Sequence, residues 1–127
     1  MRATNLLGLT FSGSPVGVFN RLAVSKSNPD LLYLTTDQGL YRSKNGGGLW
    51  ESVSLPVNRA RQVSIMDVAL APSSDNIIYV GGGSIVYKSS DGGNSWLTQD
   101  TKSGGLVNAL LIDPDLPQVA FAGIYIQ

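Results

Sequence analysis

The chain of 127 residues contains neither cysteine nor histidine. Without cysteine there can be no disulfide, no thiolate nucleophile and no thiolate-bound metal. Without histidine there is no His-dependent catalytic triad, and the commonest transition-metal ligand is missing. The two absences exclude several large classes of enzyme, and we expect no cofactor.

Net charge and long apolar runs are missing as well. Nine basic and nine acidic side chains cancel, so the long-range attraction of a basic protein to phosphate backbones is lacking. The longest apolar stretches, such as "NALLI" and "NIIYV", fall far short of the roughly 20 residues of a membrane-spanning helix. We therefore expect neither a nucleic-acid partner nor a membrane span.

What the sequence does contain is an internal repeat with an offset of 46 residues and no gap. Such a period indicates a repeat architecture. A third unit follows at an offset of 42 residues, with Pro114 matching Pro72 and Phe121 matching Tyr79. The identical pairs at the first offset include Tyr33 and Tyr79, Tyr41 and Tyr87, Ser43 and Ser89, Gly47 and Gly93, and Trp50 and Trp96.

Each unit reads as four short strands, in the first unit "RLAVS", "LLYLTT", "GLYRS" and "WESVS", separated by Asn, Asp, Pro, Ser and Gly. Four strands repeated every 40 to 50 residues are typical of a β-propeller. The sequence therefore predicts an all-β, partial propeller of two full four-stranded antiparallel blades plus a half blade. We assign an outer strand and connection to residues 1–17, blades to 18–55 and 64–100, and the half blade to 106–127.

This number of blades is too small for a closed ring, which needs roughly four to eight. Two explanations follow, and both stay open here. The chain is a fragment whose remaining blades belong to a longer protein, or several copies assemble, because exposed strand edges and open blade faces favour association.

A turn motif recurs between the third and fourth strands of each full unit. Ser89, Asp91, Gly93 and Trp96 resemble the Ser-x-Asp-x-Gly-x-x-Trp pattern of the Asp-box, or BNR repeat. The equivalent turn has Asn in place of Asp. The resemblance extends to β-propellers of sialidases, xyloglucanase-type glycoside hydrolases, sortilin-like receptors and photosystem II assembly factors. The residues of the other turn are Ser43, Asn45, Gly47 and Trp50.

The chemistry of the motif favours a structural role. A carboxylate or amide at its third position can accept hydrogen bonds from turn N–H groups, and the glycines permit positive φ. Calcium needs several oxygen ligands, whereas each turn offers a single carboxylate or none. We therefore expect a pinned hairpin and no metal site.

Asp37 is the candidate catalytic residue. It follows Thr36 in "LYLTTDQGLYRS" and has Gly83 as its repeat partner, so it lies outside the repeat consensus. The segment resembles the first-blade motif of xyloglucanase-type hydrolases, which implies a catalytic base at Asp37. Inverting glycosidases also need a carboxylic acid roughly 6.5 to 9.5 Å away, and the sequence offers no candidate for it.

Two arginines, Arg59 and Arg61, lie in the longer connection between the full units. They are candidates for binding an anionic partner, as the resemblance to photosystem assembly factors suggests, although solvated loop charges are commoner. The sequence thus favours a non-catalytic scaffold or binding part of a propeller, with a protein or carbohydrate as ligand. The alternative is an N-terminal fragment of a xyloglucanase-like hydrolase. The family resemblance favours a secreted or extracytoplasmic location.

Overall fold

The computed structural model describes residues 10–11, 14–15, 19–56, 64–102 and 104–125. All regular secondary structure in these ranges is β-strand. The all-β prediction is thus confirmed. Across these ranges there is also no helix with the length and apolarity needed to cross a bilayer. The strands are β1 (Thr10–Phe11), β2 (Ser14–Pro15), β3 (Phe19–Val24), β4 (Leu32–Thr36), β5 (Gly39–Ser43), β6 (Glu51–Val53), β7 (Ile65–Ala71), β8 (Ser74–Gly82), β9 (Ile85–Ser89), β10 (Leu97–Asp100), β11 (Leu106–Ile112) and β12 (Ala120–Tyr125).

The strands form two four-stranded meanders. Blade 1 consists of β3 to β6, and blade 2 consists of β7 to β10, with each strand beside its neighbour in sequence. All of these pairings are antiparallel. β11 and β12 pair antiparallel in a two-stranded sheet, called the half blade below. The predicted partial propeller, with two full blades and a half blade, is confirmed.

The predicted outer strand within residues 1–17 lies largely outside the described residues. The described parts of that segment are β1 and β2, which pair with each other. The unit boundaries that we assigned from the sequence stay predictions.

One face of blade 1 packs on blade 2. Alternate residues of a strand point to opposite faces of the sheet, which turns Tyr33 of β4 and Leu40 of β5 towards blade 2. Both lie in one apolar cluster with Val80 and Tyr87, and each of the four is at most 1 % exposed. Full burial of a Val or Leu side chain contributes about 1.5–3 kcal/mol, so this interface is a main part of the core.

The opposite face of blade 2 packs on the half blade. Tyr79 and Ala71 of blade 2 share a cluster with Ile112 of β11. The sheets approach closely at Gly81, where an added Cβ would lie 2.6 Å from Cγ1 of Val107. A side chain at position 81 would therefore require Val107 or its strand to shift.

Each inner strand carries a β-bulge at the same place in the repeat. The register shifts occur between Phe19 and Arg21 in β3, between Ile65 and Asp67 in β7, and between Val107 and Ala109 in β11. A bulge inserts one unpaired residue and redirects neighbouring side chains. The inserted residues are Asn20, Met66 and Asn108.

Because strands alternate in direction, the connections of each blade lie at two opposite ends. The β4–β5 and β8–β9 turns lie at one end, together with the end of β6, the start of β7, the end of β10 and the start of β11. We call this the Asp37 end. The β5–β6 and β9–β10 turns lie at the opposite end, called the tryptophan end because each of them runs up to Trp50 or Trp96.

Candidate functional site

Asp37 stands at the tip of the two-residue turn between β4 and β5. The Oγ1 of Thr36 donates to the carbonyl of Gly39 (3.0 Å) and accepts from the N–H of Gln38 (3.0 Å), so the turn is fixed from within. The Asp37 side chain is half-buried. Burial, and then the charge of Asp37, raise the pKa of Tyr41. The carboxylate therefore lies within electrostatic reach of the Tyr41 hydroxyl.

A second carboxylate at this end, Asp67, was missed by the sequence reasoning. It is almost fully buried, and it joins three successive inner strands. Its Oδ1 accepts from Nε of Arg21 (3.0 Å) and from the N–H of Val68 (2.9 Å), while Oδ2 accepts from the N–H of Leu110 (2.7 Å). The only sequence signal was the pairing of opposite charges at equivalent repeat positions, 46 residues apart.

The bulge in β3 brings a second polar side chain to the same boundary. Asn20 donates through Nδ2 to the carbonyl of Ile65 (2.8 Å) and to Oγ of Ser64 (3.1 Å), both in blade 2. Consecutive residues Asn20 and Arg21 thus both reach across to blade 2. They tie the start of β3 to the start of β7.

The third carboxylate at the Asp37 end is Asp100, at the end of β10. Its Oδ1 accepts from Oγ of Ser84 (3.1 Å) and from the N–H of Lys102 (2.8 Å). The N–H of Thr101 donates to the carbonyl of Ser84 (2.8 Å). Asp100 therefore holds the β8–β9 turn against the end of its own blade.

At the tryptophan end, the first repeat turn is closed by Ser43 and Asn45. The Ser43 hydroxyl donates to Oδ1 of Asn45 (3.0 Å) and accepts from the N–H of Gly47 (2.9 Å). Oδ1 of Asn45 also accepts from the N–H of Leu49 (2.9 Å). The indole N–H of Trp50 donates to the carbonyl of Gly47 (3.1 Å), which ties the next strand back to the turn.

The second repeat turn has the same serine bonds and more acceptor bonds. The Ser89 hydroxyl donates to Oδ1 of Asp91 (2.8 Å) and accepts from the N–H of Gly93 (2.8 Å). Asp91 accepts from the hydroxyl of Ser95 (2.6 Å) and from the N–H groups of Ser95 (2.9 Å) and Asn94 (3.1 Å). These bonds, led by those from Ser95, lower the pKa of Asp91 from 3.8 to about 2.

The two tryptophans differ in their hydrogen bonding. Whereas Trp50 donates within its turn, the Nε1 of Trp96 is buried and has no hydrogen-bond partner among the described residues. Trp96 packs instead against the apolar cluster between the blades. The repeat therefore preserves the indole ring and its packing but not its hydrogen bond.

A basic residue on the third strand links each blade to the next unit. In blade 1, Arg42 donates through Nε to Glu51 (2.9 Å) and through Nη1 to the carbonyl of Gly92 in blade 2 (2.9 Å). Burial alone would lower the pKa of Arg42, but hydrogen bonds with Tyr33 and Glu51 outweigh it and raise the pKa. Arg42 is thus shared between two blades.

Lys88 is the repeat partner of Arg42, and it links blade 2 to the half blade. Its Nζ lies 5.7 Å from the centroid of the Tyr79 ring and is hydrogen-bonded to Oε1 of Gln118 in the half blade. The hydroxyl of Tyr79 donates to the carbonyl of Pro117 (3.0 Å). A basic third-strand residue paired with a second-strand tyrosine is thus a repeated feature of the interfaces.

The structure distributes the predicted site residues between the two ends. Asp37 lies at one end, and both repeat turns lie at the other. Arg59 and Arg61 fall outside the described residues. Within those residues, no group of three or more Asp, Glu, His or Cys side chains is arranged to hold a metal ion.

No family model matches the chain. A curated relative, an oligoxyloglucan-reducing end-specific xyloglucanase of Emericella nidulans, is 38 % identical over 80 residues, which cover 60 % of this chain and 10 % of that protein. The chain thus spans about a tenth of the length of this relative.

Solved structures agree with the fold. A GH74 enzyme of Niastella koreensis matches 76 % of this chain and 16 % of its own chain, at 28 % identity and a TM-score of 0.63. YCF48 bound to D1 peptide matches 86 % of this chain and 37 % of its own, at 20 % identity and a TM-score of 0.59, a likeness of fold alone. The resemblance to these β-propeller proteins is confirmed.

Proposed function

We propose that this chain is a non-catalytic scaffold and binding part of a β-propeller. The observation that carries the proposal is the hydrogen bonding of two carboxylates at the Asp37 end. Asp67 and Asp100 both accept hydrogen bonds from their own chain. Inverting glycoside hydrolysis needs a second carboxylic acid that donates a proton to the leaving group, and neither residue is free to do so.

The repeat turns are part of the same proposal, as structural elements. In each, the serine hydroxyl and its Asn or Asp partner accept N–H groups of the turn, as described above. A turn whose N–H groups are hydrogen-bonded by its own side chains fixes the connection between two neighbouring strands and so stabilises the blade. We therefore assign Ser43, Asn45, Ser89 and Asp91 to stability rather than to ligand binding.

The proposed ligand is a protein or a carbohydrate. Support for a protein comes from the likeness in fold to YCF48, which was solved with a bound peptide. Support for a carbohydrate comes from the similarity to a xyloglucanase over 80 residues. Arg59 and Arg61 remain the proposed contacts for an anionic partner, and a secreted or extracytoplasmic location stays a prediction.

A second candidate function is hydrolysis, with this chain as an N-terminal fragment of a xyloglucanase-like enzyme. The observations that favour it are the placement of Asp37, half-buried at a turn tip, and the similarity of the chain to such an enzyme over 80 residues. In that case Asp37 is the catalytic base, and the general acid comes from another part of a longer protein.

Hydrolysis is tested with the longer protein that this candidate requires, by incubating it with xyloglucan oligosaccharides and measuring released sugar by mass spectrometry. The variants are Asp37→Asn and, as a matched control, Asp115→Asn on an exposed loop at the opposite end. We expect no release by any of the three proteins. Release by the unsubstituted longer protein and by the control, but not by Asp37→Asn, would establish the hydrolase instead.

Binding is measured in parallel by calorimetry with the same oligosaccharides. Association that survives Asp37→Asn, without any release of sugar, is the expected result for a carbohydrate ligand. Absence of both binding and release directs the search to proteins, and then Arg59→Ala with Arg61→Ala tests the proposed anionic contact.

A further inference from the structure

A groove lies between the outer strands of blade 2 and the half blade. Its volume is about 570 Å³. Its walls are mostly apolar, and Lys88 is the charged side chain among the residues that line it. Leu97, on the blade 2 wall, is 74 % exposed, and Ala120 and Ala122 line the half-blade wall. An exposed large apolar side chain in a mostly apolar groove is typical of an interaction site.

One wall of the groove is a free strand edge. In the part of the chain that the structure describes, β12 pairs with β11 alone. The equivalent strand of blade 2, β8, pairs with β7 on one side and with β9 on the other. The outer edge of β12 therefore presents backbone N–H and C=O groups that a further strand can pair with.

The interface between blades 1 and 2 indicates what fills the equivalent position. There, Tyr87 of β9 lies in one buried cluster with Leu40 and Val53 of blade 1. The repeat partners of those two residues, 46 positions later, are Val86 and Gln99. Val86 is half-buried, Gln99 is exposed, and both line the groove. The groove is thus the repeat equivalent of the space between blades 1 and 2 that Tyr87 fills.

We propose that the groove and the free edge of β12 bind an antiparallel polypeptide strand with the pattern aliphatic–tyrosine–basic–serine. Strands β5 and β9 have this pattern, as "LYRS" and "VYKS". The pairs Ile78 with Ser89 and Val80 with Tyr87 set the register. Shifted by the 42-residue offset, they place the serine opposite Ala120 and the tyrosine opposite Ala122.

The same shift assigns a place to the basic residue. Tyr79 pairs with Lys88 in blade 2, and the ammonium group lies above the ring. Phe121 is the equivalent of Tyr79, so the basic residue of the bound strand lies opposite Phe121. A cation–π contact at an exposed site contributes about 0.5–1 kcal/mol, which gives the site a preference for a basic residue at this position.

A polypeptide strand suits the site better than a carbohydrate does. A strand supplies alternating N–H and C=O groups in the spacing that a free edge requires. This inference goes beyond the proposed function, because it concerns a surface away from Asp37 and holds whichever ligand that end binds.

The test uses the whole chain and a fluorescein-labelled peptide with the sequence of residues 83–90, "GSIVYKSS", followed by fluorescence anisotropy. We expect saturable binding that weakens at least tenfold with Leu97→Ser in the chain. Leu111→Ser is the matched control, because Leu111 is 68 % exposed but lies outside the groove, and it leaves the affinity unchanged. The peptide with Tyr87→Ser binds at least tenfold more weakly.

Three results would overturn the proposal. The first is a peptide that does not bind, or one whose affinity is indifferent to Leu97→Ser and to the tyrosine. The second is displacement of the peptide by xyloglucan oligosaccharides, which makes the groove a carbohydrate site. The third is a dimer of the chain that Leu97→Ser dissociates while no peptide binds, which makes a second copy the occupant. None of these depends on the hydrolysis assay.

Discussion

The guanidinium Nε of Arg21 lies 3.0 Å from Oδ1 of Asp67, and the two residues occupy the same position in successive repeats. Their side chains differ sharply in environment. Arg21 is 55 % exposed, whereas Asp67 is 7 % exposed and also accepts the N–H of Leu110 in the half blade. The carboxylate, rather than the arginine, is therefore the centre of the contact between the three inner strands.

Replacement of Asp67 by alanine should destabilise the fold by about 1–3 kcal/mol, because it leaves the donors of Val68 and Leu110 without their acceptor. Arg21→Gln should cost less than about 1 kcal/mol, since an exposed partner loses little in water. Urea unfolding of both variants checks the difference. Equal destabilisation by the two substitutions would show that the ion pair, and not the buried acceptor, sets the contact.

The blades could be predicted from the repeat because equivalent strands of successive blades bury equivalent faces, and this requires similar residues at equivalent positions. Tyr33 and Tyr79, or Leu40 and Val86, conserve size and polarity, and an offset search detects such identities. The Arg21–Asp67 contact escaped the same search because it depends on unlike residues at one position. A search for opposite charges at the repeat offset would have found it.

The groove beside β12 could not be predicted from the sequence either. Strand patterns indicate which residues alternate, but they do not say which edge lacks a partner or which apolar side chains face it. In the sequence, nothing distinguishes Leu97 from other apolar strand residues, although it lines the groove and is largely exposed. The Asp37 end likewise contains residues far away along the chain, such as Asp67, that only the packed blades bring there.

Gly81 should tolerate no side chain. Gly81→Ala places a Cβ 2.6 Å from Cγ1 of Val107, so the buried Val107 side chain or its strand must shift. Overpacking of this kind costs about 1–3 kcal/mol. Gly48→Ala is the control, because its added Cβ meets only the Asn45 side chain at ordinary contact distance. Thermal unfolding should separate the two variants, and similar melting temperatures would contradict the close packing of the sheets.

Asn45 should stabilise its turn although it carries no charge. Asn45→Ala removes the acceptor of the Leu49 N–H and of the Ser43 hydroxyl, with an expected loss of about 0.5–1.5 kcal/mol. The neighbouring Lys44→Ala removes only an exposed contact 3.9 Å from Glu51 and should change stability by less than about 0.5 kcal/mol. Chemical denaturation compares the two. A larger effect of the lysine would point to a charge-based role for this surface.

The Asp91 turn should be sensitive to acid, and the Asn45 turn should not. Because its hydrogen bonds lower the pKa of Asp91 from 3.8 to about 2, the folded state favours the ionised carboxylate. The resulting contribution to stability is fully present above pH 3.8 and is lost as the pH falls through about 2.

The amide resonances of Ser95 and Asn94, which donate to this carboxylate, should titrate with a midpoint near pH 2 in NMR spectra. The amide of Leu49, which donates to an amide oxygen, provides the internal control and should stay unchanged while the fold persists. A midpoint near 3.8 would mean that the carboxylate is not held by the turn in solution, and the structural assignment of this motif would then fail.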